Sequence, residues 1–291
     1  MPHSAQLRSA RMRARYTGET RSEAERGVSR PDDPLGMDSA TPEQQQLRAL
    51  LALTVFNEGY RGAPPKLWNA HKITVYGGYV SPRYQETVLV ADAPKNVAGY
   101  FLLTDNHRER VPGIRALCVT RSEIRMQHLP TGALFTVASR SGLDDRHACQ
   151  GTCVQNGRNE YLKPADALSS DEEVELEALP AMSPDARVLL AALFTRMALR
   201  DPDRAWALGN WYCPPFHIPD ALPYNEWLGR QLWGAGNRWT LRWAGFPNAE
   251  YVVSALTHPV AGLQGCEARC SGTSPQVSHG DATLRLIEGV V

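Results

Sequence analysis

Apolar positions recur at helical spacing in two places along the chain, and the same kind of signal opens each run. Leu47, Leu50, Leu51, Thr54 and Val55 form one stripe behind Thr41-Pro42-Glu43; Val188, Leu189, Leu193, Phe194 and Met197 form another behind Ser183-Pro184-Asp185. In both, a hydroxyl residue can cap the helix, proline suits the first turn, and an acid complements the positive end of the dipole. Elsewhere short β-rich runs lie between turn residues, which predicts strands. The candidates are 73–76, 87–90, 99–104, 114–120, 123–128 and 133–139, then 239–243 and 251–256. These runs are too closely spaced for crossover helices, so mostly antiparallel sheets are expected. Gly77-Gly78 reads as a β-turn or bulge.

The pattern predicts an α+β fold of two helix-plus-antiparallel-sheet lobes with a basic helical N-terminal arm. The expected divisions are the arm and linker at 1–40, a first lobe at 41–156, an acidic linker at 157–182, and a Trp-rich second lobe at 183–291. An internal duplication is one reading. An ungapped comparison of 73–94 with 238–259 matches only Pro82 with Pro247, Val88 with Val253 and Pro94 with Pro259, which is close to chance.

The arm holds Arg8, Arg11, Arg13 and Arg15 in one short stretch that suits a helix over 5–16. Gly18 can end it in a left-handed conformation, and Thr20 or Ser22 can cap a second helix over 22–28. Two prolines and a glycine make 29–36 a linker, so the arm is expected to be removable without loss of stability. The stretch from Arg15 to Ala24, with Thr17-Gly18-Glu19-Thr20 and Ser22-Glu23-Ala24, resembles the helix–turn–helix segment of ribbon-helix-helix antitoxins. That family's DNA-reading strand has no counterpart in Pro2-His3-Ser4, so its function is not carried over.

Composition narrows the classes. The 291 residues carry 31 basic and 31 acidic side chains, with 43% hydrophobic residues. That is a globular composition with no net charge, which disfavours a strongly basic nucleic-acid binder but leaves room for a local patch. No apolar run reaches membrane-spanning length and no signal-peptide core is visible, so a cytoplasmic protein with reduced thiols and no membrane partner is expected.

Three features bear on chemistry. Cys149/Cys153 and Cys266/Cys270 are two C-x3-C pairs that could supply four soft ligands to zinc. Small buried cysteines, disulfides or redox chemistry are the alternatives. Six of the seven tryptophans fall between 206 and 243. Trp211, Trp227 and Trp233 with Arg238 could line a ligand pocket, Arg242 or Arg230 adding charge; a packed core is the alternative. Arg8, Arg11, Arg13 and Arg15 could neutralise phosphates of a nucleic acid, or meet another protein through 1–30. No phosphate loop, nucleophile elbow or H-E-x-x-H helix exists. The expectation is a non-catalytic binding or regulatory protein that contacts nucleic acid through the arm. The alternative is an enzyme with a Trp-lined pocket, its cysteines holding zinc.

Overall fold

The computed structural model describes residues 3–28, 33–57, 77–99, 101–102, 111–120, 122–140, 167–209, 211, 230–271 and 274–289. The arm forms α1 (His3–Thr17) and α2 (Arg21–Gly27). The first lobe runs α3 (Pro42–Val55), β1 (Gly77–Pro82), β2 (Glu86–Ala91), α4 (Pro94–Ala98), β3 (Ile114–Val119), β4 (Glu123–His128), β5 (Leu134–Ala138). After α5 (Ser170–Glu177) the same order recurs: α6 (Pro184–Thr195), β6 (Gln231–Ala235), β7 (Arg238–Trp243), α7 (Ala249–Thr257), β8 (Cys266–Ser271), β9 (Ser274–His279), β10 (Ala282–Glu288).

The two helix-start signals work as the sequence implies. Thr41 accepts a hydrogen bond from the Gln44 N–H and Ser183 from the Ala186 N–H, each with proline in the first turn. The two sheets have equivalent strand orders, β1-β2-β5-β4-β3 and β6-β7-β10-β9-β8. Each is mixed rather than purely antiparallel. In each, the second and fifth strands pair in parallel. The reason is connection length: a helix and two strands separate the parallel partners, enough chain to return in the same direction.

The architecture is therefore α+β with two similar lobes, but the correspondence differs from the ungapped comparison. Topology sets β2 against β7, so residues 86–91 correspond to 238–243. Val253, matched to Val88 above, lies instead in α7. The run 251–256 was expected to be a strand. It is helical because Val252, Ala255 and Leu256 bury together at three- and four-residue spacing. Residues 99–104 form no strand among their described positions; Phe101 and Leu102 turn back onto α4 through bonds to the Ala98 carbonyl. Residues 73–76 lie outside the described residues. The Gly77-Gly78 expectation is met, since the β1–β2 register shifts between Gly77 and Tyr79.

Both helices of a lobe cover the same face of its sheet, and α3 packs on α6 where the lobes meet. One continuous cluster of buried apolar side chains runs through both, from Leu47, Leu89 and Phe135 to Leu189, Leu241 and Leu284. The other face of each sheet, turned away from these helices, is called its outer face below.

The arm is packed against the rest of the chain. Gly18 takes φ +79° as expected, and Thr20 caps α2 in a capping box with Glu23. Arg13, however, is fully buried, with two bonds to Glu19 at 2.6 and 2.8 Å and others to the carbonyls of Leu35, Gly36 and Pro82. A Cβ on Gly27 would lie 2.0 Å from this guanidinium, so glycine there lets the arginine pass. Tyr16 reaches across to the ring of His258. The acidic stretch, which suits a solvated linker or a helix face, contains a helix. It spans residues 170–177, and Glu172 is buried on Arg115 of β3 at 2.7 Å.

Candidate functional site

The fold separates some of the residues singled out by sequence and groups others. Arg8, Arg11 and Arg15 are exposed on α1, at a spacing that puts them on one helix face. Arg15 lies 3.9 Å from Asp203. Arg13, on the opposite side, is committed to Glu19 and three carbonyls, so it is not available to phosphates.

The tryptophans also divide. Trp211, Trp239 and Trp243 are buried, and Trp211 packs edge-on against Phe56 at 4.9 Å and against Trp243 at 5.5 Å. Trp206 packs at a tilt beside His258, the ring centroids 5.6 Å apart. These rings fill the core of the second lobe instead of walling a pocket, the packed alternative named above. Trp227 lies outside the described residues.

Of the four candidate zinc ligands, only Cys266 and Cys270 lie among the described residues, and these two cannot share one ion. Cys266 and Cys270 sit four residues apart on β8, so their Cα atoms are about 13 Å apart along the strand. Two thiolates on one zinc must each reach it at about 2.3 Å, which this separation prevents. Burial also pushes the Cys266 thiol up to about 11, disfavouring the thiolate a metal needs. Cys149 and Cys153 lie outside the described residues. Among the described residues no cluster of three or more His, Cys, Asp or Glu could hold an ion. Cys118 is buried on β3 and disulfide-bonded, unlike the reduced thiol expected.

Two of the proposed ligand-binding residues do come together. Strand alternation in β6 and β7 buries Leu232, Trp239, Leu241 and Trp243 and turns Trp233, Arg238, Thr240 and Arg242 to the outer face. Strand β10 does the same, burying Ala282, Leu284 and Leu286 and presenting Thr283, Arg285 and Ile287. Register then sets the neighbours. Thr240 pairs with Trp233 on one side and Arg285 on the other; Arg285 pairs with Gln276, and Gln276 with Arg269. One row across the sheet therefore reads Trp233, Thr240, Arg285, Gln276, Arg269. Arg238 and Arg242 flank Thr240 two residues away on either side, each about 7 Å along the strand.

This face is open. Trp233 is 39% exposed, and Arg238 and Arg285 are exposed. Among the described residues the side chains of Arg238, Arg242 and Arg285 have no hydrogen-bond or ion-pair partner, whereas Arg269 has a carboxylate, Glu267 at 3.2 Å. Three guanidinium groups around one exposed indole form a concentrated positive field beside a flat aromatic surface. The chain as a whole is neutral, so this concentration is local.

Sequence reasoning found Trp233, Arg238 and Arg242 but missed Arg285. Its signal was there: in Thr283-Leu284-Arg285-Leu286-Ile287 the leucines alternate with outward positions, the signature of a half-buried strand.

Compared with known proteins, the chain matches no family model, no curated protein and no solved structure. Among the described residues no helix is long and apolar enough to cross a membrane.

Proposed function

We propose that this chain is a non-catalytic binding protein that holds an anionic partner on the outer face of its second sheet. The observation that carries this reading is the group Arg238, Arg242 and Arg285 around Trp233, without a hydrogen-bond or ion-pair partner among the described residues, on a face that no described element covers. The sheet fixes the backbone positions of these arginines, so their charges are gathered on one face before a partner arrives, and binding has to order only the side chains. The α1 row of Arg8, Arg11 and Arg15 is a second basic surface, but it lacks an aromatic neighbour of this kind and Arg15 already faces Asp203.

Heparin chromatography with the full-length protein tests the reading. Replacing Arg238, Arg242 and Arg285 together by Gln should lower the salt needed for elution, while Arg8, Arg11 and Arg15 replaced by Gln should shift it less. Equal elution of the triple sheet variant and the parent, with both folded, would remove the proposal.

A further inference from the structure

We infer that the anionic partner is single-stranded nucleic acid, one base of which stacks on Trp233 while its neighbouring phosphates lie on Arg238, Arg242 and Arg285. This rests on the reading above and adds the chemical class of the ligand. Polyanions without bases would use the arginines and ignore the indole. A base needs a π-face, and every base has one to offer in return.

Geometry favours a single strand over a duplex. Duplex grooves are read by a helix or a ribbon that projects into them. Here the positive charge lies on the broad pleated surface of a five-stranded sheet, from β6 to β10, with no projecting element among the contributors. A single strand can lie flat on such a surface and splay its bases onto it. The spacing suits one nucleotide unit. Adjacent strands stand about 4.8 Å apart, so Trp233 and Arg285 are separated by about 10 Å at their Cα atoms with Thr240 between them. Base and phosphate sit at opposite ends of a nucleotide, and the row offers an aromatic at one end and a cation at the other. Thr240, Thr283 and Gln276, half-buried on the same face, supply neutral donors and acceptors for base edges or sugar hydroxyls. With one exposed ring the site anchors one base, so sequence preference should be weak and affinity should depend on salt.

The test uses the whole protein and a fluorescein-labelled thymidine octamer, with the same octamer in duplex form and heparin as comparisons. The parent should bind the single strand more tightly than the duplex. Trp233→Ala should weaken octamer binding about five- to a hundredfold, and leave heparin elution unchanged. Trp233→Phe should recover most of the loss, which a merely misfolded sheet would not allow. The Arg238, Arg242 and Arg285 to Gln variant should flatten the slope of log K against log salt by about 2, from three released phosphate contacts on a single strand. If Trp233→Ala binds the octamer as the parent does, or if duplex and single strand bind alike, base stacking is wrong. Loss of heparin retention in the arginine variant together with no octamer binding by the parent overturns this inference but leaves the anion-binding face standing. If neither ligand responds to the arginine variant, both readings fall.

Discussion

The outer faces of the two sheets occupy equivalent places in equivalent topologies, yet one is roofed and the other bare. In the first lobe Tyr79, Val88, Val90 and Ala138 form a small apolar cluster on that face. Helix α2 lies over it and Glu23 accepts the Tyr79 hydroxyl at 2.9 Å. In the second lobe the register-matched positions carry different chemistry. Where β1, β2 and β5 have Ser81, Val88, Val90 and Thr136, strands β6, β7 and β10 have Trp233, Thr240, Arg242 and Arg285. The backbone pattern is shared, so the difference lies in what each face meets. A face that receives the arm is apolar; a face that meets solvent is charged. One lobe buries its outer surface under the arm, and the other exposes Trp233, Arg238 and Arg285.

The sharpest way to break this comparison is to unroof the first lobe. Arg13→Met leaves the buried Glu19 carboxylate without its ion pair, which should destabilise the fold by about 3–5 kcal/mol in urea titration. Burial opposes the charge on Glu19, and the Arg13 guanidinium overcomes it and holds the carboxyl below its usual range. A loss below about 1 kcal/mol, a surface-pair value, would mean that the arm is only loosely attached.

Acid should act next. Burial holds His128, at the end of β4, down at about 4 from an ordinary 6.5. The unfolded chain then binds this proton at a higher pH than the folded one does. Its contribution is intact above 6.5 and lost as pH falls toward 4, by about 3 kcal/mol in all. Unfolding measured from pH 7 to 4.5 should show this decline, and His128→Gln should flatten it. Below that window Glu172 adds to the loss. Burial opposes its charged form, but hydrogen bonds from Arg115, Ser169 and Gly113 outweigh that and hold it at about 2.

The smallest effects should separate the two faces most cleanly. Tyr79→Phe removes a buried hydroxyl from Glu23 and should cost about 1–3 kcal/mol, because the carboxylate is left short of a donor. The Arg238, Arg242 and Arg285 to Gln variant, without partners to lose, should change stability by less than about 0.5 kcal/mol. A large loss there would mean that those arginines hold the fold together and are not reserved for a ligand.

Much of this organisation was legible in the chain, and the legible part is local. Thr41-Pro42 and Ser183-Pro184 announced their helices because a cap depends on a few adjacent residues. Gly18 and Thr20 announced the arm's turn for the same reason. Short β-rich runs gave away β2 to β5 and β7. The run 251–256 was misread because β-branched residues suit a strand locally, whereas an amphipathic face buried on a sheet stabilises a helix. Strands β8 and β9 escaped notice because their apolar positions are few and interrupted by Arg, Glu and Ser, whereas the alternation in β10 was legible and overlooked.

What tertiary structure alone decided was which side chains share a surface. Arg13 and Arg15 are two residues apart and alike in sequence, yet one is sealed against Glu19 and the other faces solvent, because a helix turns them to opposite sides of the packed arm. Trp211 and Trp233 belong to one sequence cluster, but strand parity and packing send one into the core and the other outward. Trp233 and Arg285 are far apart along the chain and meet only through the pairing of β6, β7 and β10. The sequence by itself determined the helix starts, the turns and the alternation along each strand, since these depend on near neighbours. Register between distant strands and the docking of the arm depend on contacts across the whole fold, and those contacts decided which arginines are buried and which are exposed.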